Sequence, residues 1–267
     1  MREDENYLWR FILPALGKKR VEQLTMRDIE VLNLGLEKTP YQANRLLAAL
    51  SKMFACAMAW GWRSDNPVRG IQKYTEAKRD RWLDEDELKR LWDVLEQYPT
   101  HLTALALKLL ILTGARKNEV LQATWDQFDL EGGIWTKPSH LTKQKKTEHL
   151  PLSPEAIALL HQVKDLNHSG PHLFPGRVPG KPIQETKTFW HRALRQASLE
   201  NIRIHDLRHT HAAHLVSSGL SLSIVGKLLG HTQASTTQRY AHLSHQSLRQ
   251  ATTLFGAKMT ELKERKQ

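Results

Sequence analysis

The stretch that decides the fold is His205-Asp206-Leu207-Arg208-His209, which is followed by Gly230-His231 and by Tyr240 within the run 237–242. His205 and Arg208 are three residues apart, so a helix places them on one face. The opposite face of that helix is apolar, with Leu207, Ala212, Leu215 and Val216. The pattern therefore predicts that a proton-transfer group and a permanent cation project toward one point.

A second permanent cation, Arg116, follows the isolated turn Thr113-Gly114-Ala115. The run 102–113 ahead of it is nearly all apolar, which predicts a buried helix and hence a rigid support for the guanidinium. The planar fork of an arginine is suited to bidentate contact with a phosphate. Glu119 follows three residues later, where it can orient Arg116.

Tyr240 lies nine residues beyond His231. A phenol, with a pKa of about 10, is a poor nucleophile at neutral pH. It needs a base and a phosphate that cations have already polarised, and Arg116, Arg208, His205 and His231 are the candidates for these roles. A lone tyrosine in a short amphipathic helix is more often a packing residue, so the interpretation depends on the motifs around it.

Taken together, these separated motifs resemble the active site of the tyrosine recombinases, in particular the phage-type integrases. In that family a Gly-His pair is followed nine residues later by the nucleophilic tyrosine, as Gly230-His231 is followed by Tyr240 here. The likeness extends over residues 20–256. It implies a catalytic set of Arg116, Lys143, His205, Arg208, His231 and Tyr240, with Glu119 in support.

The reaction implied by this resemblance is a metal-free transesterification without a cofactor. Tyr240 would attack a backbone phosphate to give a 3′-phosphotyrosyl bond and a free 5′-hydroxyl, and the 5′-hydroxyl of a second strand would reverse the step. Arg116, Arg208 and His231 would stabilise the pentacovalent phosphate, while His205 would assist proton movement. The implied function is site-specific recombination, for integration or excision of a mobile element.

The family also has a lysine in the turn between two strands, eight residues ahead of a proline. Lys143 stands eight residues ahead of Pro151 and is the candidate general acid for the departing 5′ oxygen. An ammonium group carries a removable proton, which a guanidinium does not. Lys145 and Lys146 are close enough to leave the assignment open, and Lys137 is a fourth lysine nearby.

The composition favours a nucleic-acid partner. The chain has 267 residues, of which 40% are hydrophobic, and a net charge of +11. Such an excess of cations is typical of proteins that neutralise phosphates. The alternative is a basic protein whose charge serves solubility and not nucleic-acid binding. The residues predicted to contact DNA are Arg45, Lys52, Lys73, Lys78, Arg79, Lys145 and Lys146.

The single cysteine, Cys56, excludes an internal disulfide and a cysteine-based zinc site, and it favours a reduced intracellular protein. The polar first ten residues lack the pattern of a secretory signal, and the longest apolar stretch, 102–115, is too short to span a bilayer. With the DNA partner, these features predict a cytoplasmic, nucleoid-associated protein without a membrane role.

The patterns along the chain predict a mainly α protein with a small antiparallel β-sheet, of the α+β class. Residues 1–77 are interpreted as a helical core-binding (SAM-like) DNA-binding domain shortened at its N-terminus, 78–256 as the catalytic domain and 257–267 as a charged tail. Helices are predicted from Thr25 and Thr39 onward, from Asp84, and at 101–113, 185–198, 205–218 and 221–229. Short strands are predicted near 128, 134–135 and 149–152.

The implied partners are double-stranded DNA and further copies of this chain, as a homotetramer on paired sites that starts from a monomer in solution. The C-terminal segment, 243–267, would dock on a neighbouring protomer. Two other functions stay open: a type IB topoisomerase, which uses similar residues to nick and reseal one duplex, and a silent DNA-binding relative. A zinc site at His205 and His209 is a further alternative, but the glutamate of a hydrolytic zinc helix is missing between them.

Overall fold

A computed structural model describes residues 2–77, 79–140, 146–166, 170–231, 233–244, 252–253 and 255–258. The chain divides into two compact units, Met1–Arg79 and Asp80–Gln267.

The first unit is helical. Its helices are α1 (Arg2–Tyr7), α2 (Leu13–Leu16), α3 (Met26–Leu34) and α4 (Pro40–Ala59), and the π-helical segment Leu8–Ile12 joins the first two. Thr25 and Asp28 form the predicted capping box of α3, because each side chain accepts from the other's backbone N–H. Pro40 opens α4, and Gly61 follows its end with a φ of 73°. The apolar faces of these helices share one core built on Ile29, Leu46, Leu47, Leu50 and Phe54.

The second unit contains the remaining helices and the sheet. Its helices are α5 (Glu85–Glu96), α6 (Leu102–Thr113), α7 (Lys117–Leu121), α8 (Pro154–Asp165), α9 (Lys187–Gln196), α10 (Asp206–Ser217), α11 (Leu222–Leu228) and α12 (Ala234–Gln238). Asp84 and Glu87 make the predicted capping box of α5, and Ser153 caps α8 through the Ala156 N–H. The strong local signals of the sequence therefore mark the true helix starts.

Helix α6 lies at the centre of this unit, as its apolar sequence predicts, and nine of its twelve residues are buried. It ends at Gly114, which adopts the left-handed conformation with a φ of 59°. A Cβ at this position would lie 2.6 Å from Cδ2 of His211 and 2.8 Å from Cδ2 of Leu229. Both the backbone conformation and the close approach therefore require glycine immediately before Ala115 and Arg116.

The sheet has three antiparallel strands in the order β1 (Phe128–Asp129), β2 (Ile134–Lys137) and β3 (Glu148–Pro151). Trp135 is paired with Leu150, and both side chains are buried in the core. The same register places Lys137 opposite Glu148. The prediction of a mainly α chain with one small antiparallel sheet is confirmed.

None of the helices within the described ranges combines the length and the apolar character needed to cross a bilayer.

Candidate active site

Arg116 lies at the start of α7, directly after the glycine turn that ends α6. Its Nη1 donates to Oε1 of Glu119 at 2.6 Å, and its backbone N–H donates to Oε2 of the same carboxylate at 3.1 Å. Nη2 donates to the carbonyl oxygen of Gly230 at 3.3 Å. The guanidinium is therefore held from two sides while about a quarter of the side chain stays exposed.

Glu119 is buried, and its carboxylate also accepts from Nζ of Lys137 at 3.2 Å. Burial disfavours the charged form, but Lys137 and the Arg116 donors outweigh this effect and hold the pKa of Glu119 below its usual range. Glu119 is thus an anion that holds Arg116 in place. Lys137, which the sequence groups only with the nearby Lys143, Lys145 and Lys146, is a buried member of the same cluster.

Arg208 lies on α10 and is almost fully buried. Its Nη1 donates to the carbonyl oxygen of Gly114 at 2.9 Å, and its Nη2 donates to that of Leu229. Burial and the nearby Arg116 guanidinium lower the pKa of Arg208 to about 10, so it remains a cation at neutral pH. Two arginines from different helices therefore meet at the consecutive carbonyls of Leu229 and Gly230.

His231 follows this turn, and its Nδ1 lies 2.8 Å from the hydroxyl oxygen of Thr237. Burial, Arg208 and Arg116 lower the pKa of His231 to about 4, which leaves its ring neutral at physiological pH. His205, at the N-terminal end of α10, keeps contact with solvent. Its pKa is also lowered, first by partial desolvation and then by Arg208. Both histidines are thus neutral beside two fixed cations.

Tyr240 lies in the turn after α12. The side chain is only 3% exposed and packs with Val216, Val225 and Leu229. Its hydroxyl lies 2.5 Å from Nδ1 of His209. Burial raises the pKa of Tyr240 to about 12, against the opposing influence of Arg239 and Arg208.

His209 is the partner of Tyr240 that sequence reasoning missed. Burial, followed by His205 and Arg239, lowers the pKa of His209 to about 4. In the neutral tautomer that carries its proton on Nε2, Nδ1 accepts and the phenol donates the hydrogen bond. The signal was present in the sequence, because His209 is one helical turn beyond His205 and hence on the same face of α10.

The candidate general acids are only partly described. Lys143 and Lys145 lie outside the described residues, as does Lys78 among the residues predicted to contact DNA. Lys146 lies within them and is exposed. Within the described parts of the chain, no three His, Cys, Asp or Glu side chains gather in a group that could hold a metal ion.

The other predicted DNA contacts that the structure describes lie in the first unit. Arg45, Lys52 and Lys73 are exposed, and Arg79 is partly buried. Arg45 donates to the hydroxyl of Tyr41 at 2.9 Å, and Lys52 pairs with Asp4 at 3.3 Å. These exposed pairs are weak enough for a phosphate to replace the acidic or phenolic partner.

Comparison with known sequences identifies relatives of two kinds. Tyrosine recombinase XerD of Pasteurella multocida (strain Pm70) is 32% identical over 235 residues, which cover 82% of this chain and 77% of the relative. Prophage integrase IntZ of Escherichia coli (strain K12) is 28% identical over 213 residues, which cover 78% of this chain and 52% of the relative. The chain thus spans about half the length of IntZ.

The fold is similar to that of lambda integrase in its tetramer bound to a Holliday junction. The TM-score is 0.72 at 22% sequence identity, over 88% of this chain and 70% of the lambda chain. The profile of the phage integrase family matches residues 81–247, which is more than half of the chain and includes Arg116, Arg208 and Tyr240. This chain therefore belongs to the phage integrase family, the group of tyrosine recombinases that its motifs predict.

Proposed function

We propose that this chain is a site-specific DNA recombinase that cleaves and rejoins strands through a 3′-phosphotyrosyl intermediate. One observation carries the proposal: Arg116 and Arg208 meet at consecutive carbonyls of the turn that ends in His231. Two fixed cations and a neutral imidazole in one place are suited to a phosphate that gains charge as it is attacked. Membership of the family supports the same conclusion.

Activation of the phosphate is assigned to Arg116, Arg208 and His231. A backbone phosphate would bind against Arg116 and Arg208, whose positive charges lower the energy of the pentacovalent phosphorus. His231 would donate a hydrogen bond to a nonbridging oxygen, and His205 would assist proton movement. Glu119 acts through Arg116, because its carboxylate accepts one hydrogen bond from the guanidinium and one from the backbone N–H of Arg116.

The nucleophilic half requires a movement. The Tyr240 hydroxyl is buried and donates to His209, so a phosphate cannot reach it in this conformation. Once exposed, the phenol transfers its proton to a base, the role proposed for His205, as its oxygen attacks phosphorus. The 5′ oxygen leaves with a proton supplied by a general acid. Lys143 is proposed as that acid, with Lys145 and Lys146 as its alternatives.

The proposed partners follow from the relatives. Lambda integrase has been solved as a tetramer on a Holliday junction, which supports a homotetramer of this chain on paired duplex sites. The exposed cations Arg45, Lys52 and Lys73 of the first unit are proposed to bind phosphates. Likeness to a prophage integrase supports integration or excision of a mobile element, and a DNA substrate supports a cytoplasmic, nucleoid-associated location.

Covalent trapping tests the proposal. Wild-type protein, Tyr240→Phe and the control Tyr98→Phe would be incubated with nicked fragments of the DNA that flanks the coding region, with a chelator present. After denaturation in detergent, we expect a slowly migrating protein–DNA adduct for the wild type and for Tyr98→Phe. Tyr240→Phe should give none, and sequencing the trapped ends would identify the site.

Persistence of the adduct in Tyr240→Phe would assign the nucleophile to another residue and overturn the proposal. Binding of the fragments without any adduct would favour the silent DNA-binding alternative. Relaxation of supercoiled plasmid without a sequence requirement, and without exchange between two duplexes, would instead identify a nicking and resealing enzyme.

A further inference from the structure

Lys137 is a buried cation that the proposed chemistry does not use. It is the last residue of β2, and it is only 2% exposed. Its Nζ lies 3.2 Å from Oε2 of Glu119 and 3.1 Å from Oε2 of Glu148, and 5.3 Å from the centroid of the Trp135 ring. A buried ammonium is costly unless such partners compensate for its lost hydration. Lys137 therefore depends on its two carboxylate partners to remain charged in this position.

Each of the two carboxylates is connected to Arg116, Glu119 directly and Glu148 through Gly230. Glu119 binds Arg116 through its guanidinium and its backbone N–H. Glu148 lies against Gly230, where a Cβ would be 2.7 Å from both carboxylate oxygens. Gly230 in turn accepts the hydrogen bond from Nη2 of Arg116. Lys137 thus closes a ring of contacts that begins and ends at Arg116.

We propose that Lys137 is a positioning residue that fixes Arg116 and the Gly230–His231 turn by holding Glu119 and Glu148 together. This inference rests on the proposed function, because it assigns Lys137 a part in that reaction. Lys137 does not supply the proton for the 5′ oxygen, because its ammonium is paired with two carboxylates and enclosed by protein. Its effect on the reaction therefore passes through Arg116.

The charges around Lys137 allow the proposal to be tested by a pair of substitutions. Lys137 and Arg116 offset Glu119 and Glu148, whose Oε1 has no hydrogen-bond partner among the described residues. Replacing Lys137 with a neutral residue removes the cation that contacts both buried carboxylates. The carboxylates then repel each other and pull on Arg116. Neutralising Glu148 as well restores the balance, so the second change should repair the first.

The experiment compares Lys137→Met, Lys137→Met/Glu148→Gln and, as a control, the exposed lysine variant Lys164→Met. The rate of adduct formation would be measured in single turnover on the nicked duplex that the trapping experiment identifies, and binding by fluorescence anisotropy. A small displacement of a catalytic group costs about 100-fold, so we expect that loss of rate for Lys137→Met with binding changed less than about 3-fold. The double variant should recover about 10-fold of the rate.

A second substrate separates positioning from proton transfer. Sulfur in place of the bridging 5′ oxygen gives a thiolate that leaves without a proton, so it would rescue a variant that lacks the general acid. Lys137→Met should stay slow on this substrate, and its rescue there would overturn the proposal. A rate equal to that of Lys164→Met, or a double variant no faster than Lys137→Met, would also overturn it.

Thermal unfolding tests the charge balance without cleavage. Lys137→Met should lower Tm by roughly 5–10 °C, and the double variant should recover most of the loss. If wild-type protein forms no adduct, only the proposed function fails. The inference about Lys137 is overturned separately if the double variant does not recover the Tm that Lys137→Met loses.

Discussion

The catalytic unit contains two regions that are prepared for reaction to different degrees. The arginine group, which consists of Arg116, Arg208 and the carbonyls of Leu229 and Gly230, is assembled and held by hydrogen bonds from several elements. The nucleophile segment, residues 234–244, instead holds Tyr240 buried and protonated against His209. Under the proposed function, the difference means that the phosphate site is assembled before DNA binds, whereas Tyr240 has to be delivered to it.

The electrostatics of the two regions are consistent with this division. Arg208 keeps its charge despite burial, because its pKa of about 10 is still well above neutrality. Tyr240, with a pKa of about 12, holds its proton more tightly than an exposed tyrosine does. An assembled group of cations binds a phosphate without rearrangement. A buried phenol does not react with phosphates outside the site.

The largest expected effect comes from the arginine group. Arg208→Lys keeps the positive charge but loses the planar fork that reaches both Gly114 and Leu229. We expect the rate of adduct formation to fall by about 1000-fold, as for the loss of a transition-state contact, while the affinity for DNA changes little. Single-turnover trapping and anisotropy would measure the two quantities.

The matched control for Arg208→Lys is Arg192→Lys, which makes the same change at an exposed position of α9 in the same unit. It should leave both the rate and the affinity near their wild-type values. Equal losses of rate and affinity in Arg208→Lys would show that Arg208 is only a binding contact, and the arginine group would then not be the assembled half of the site.

A medium effect is expected where the arginine group meets the buried carboxylates. Gly230 has a φ of 64°, and a Cβ there would lie 2.7 Å from Glu148. Gly230→Ala should therefore cost about 3 kcal/mol in the free energy of unfolding, of which backbone strain accounts for about 1 kcal/mol. The rate of adduct formation should fall as well, because the Gly230 carbonyl supports Arg116.

Gly180→Ala separates backbone strain from the clash with Glu148 as causes of the stability lost in Gly230→Ala. Gly180 has a similar φ of 73°, but a Cβ there would meet nothing within 4 Å. We expect it to cost about 1 kcal/mol, measured by chemical unfolding, with no change in the rate. If both variants lost the same stability, the contact between Gly230 and Glu148 would not constrain the site.

Local signals in the sequence predicted much of this fold and of the arginine group. The capping pair Asp84 and Glu87 marks the start of α5, and the apolar run before Gly114 marks the end of α6. Such signals act within a few residues, so they can be found without knowledge of the fold. The same holds for Arg116 and Glu119, which lie in one helical turn.

The contacts that the sequence did not predict depend on distant pairing. Lys137 lies beside a polar stretch, and nothing in its local sequence indicates burial. It is buried because its ammonium pairs with Glu119, which is 18 residues away in sequence and adjacent in space. Tyr240 and His209 are 31 residues apart and meet only when α12 packs against α11 and the turn beyond it reaches α10. Their partners follow from the tertiary packing alone.

The smallest expected effect concerns the contact that holds the nucleophile. The pKa of His209 is lowered to about 4 in the folded chain, against about 6.5 in the unfolded chain, so the unfolded state binds more protons between these values. The contribution of His209 is therefore fully present above pH 6.5 and is lost as the pH falls toward 4. We expect this loss to be about 1 kcal/mol after allowance for partial exposure.

Chemical unfolding at several pH values would measure this contribution by comparing the wild type with His209→Phe. The variant removes the titrating ring, so its stability should fall less steeply between pH 6.5 and 4, while the exposed-site control His161→Phe should keep the wild-type slope. Identical slopes in all three proteins would mean that His209 is equally easy to protonate in both states. The hydrogen bond to Tyr240 would then not hold the nucleophile segment in its buried position, and the contrast between the two regions would rest on apolar packing alone.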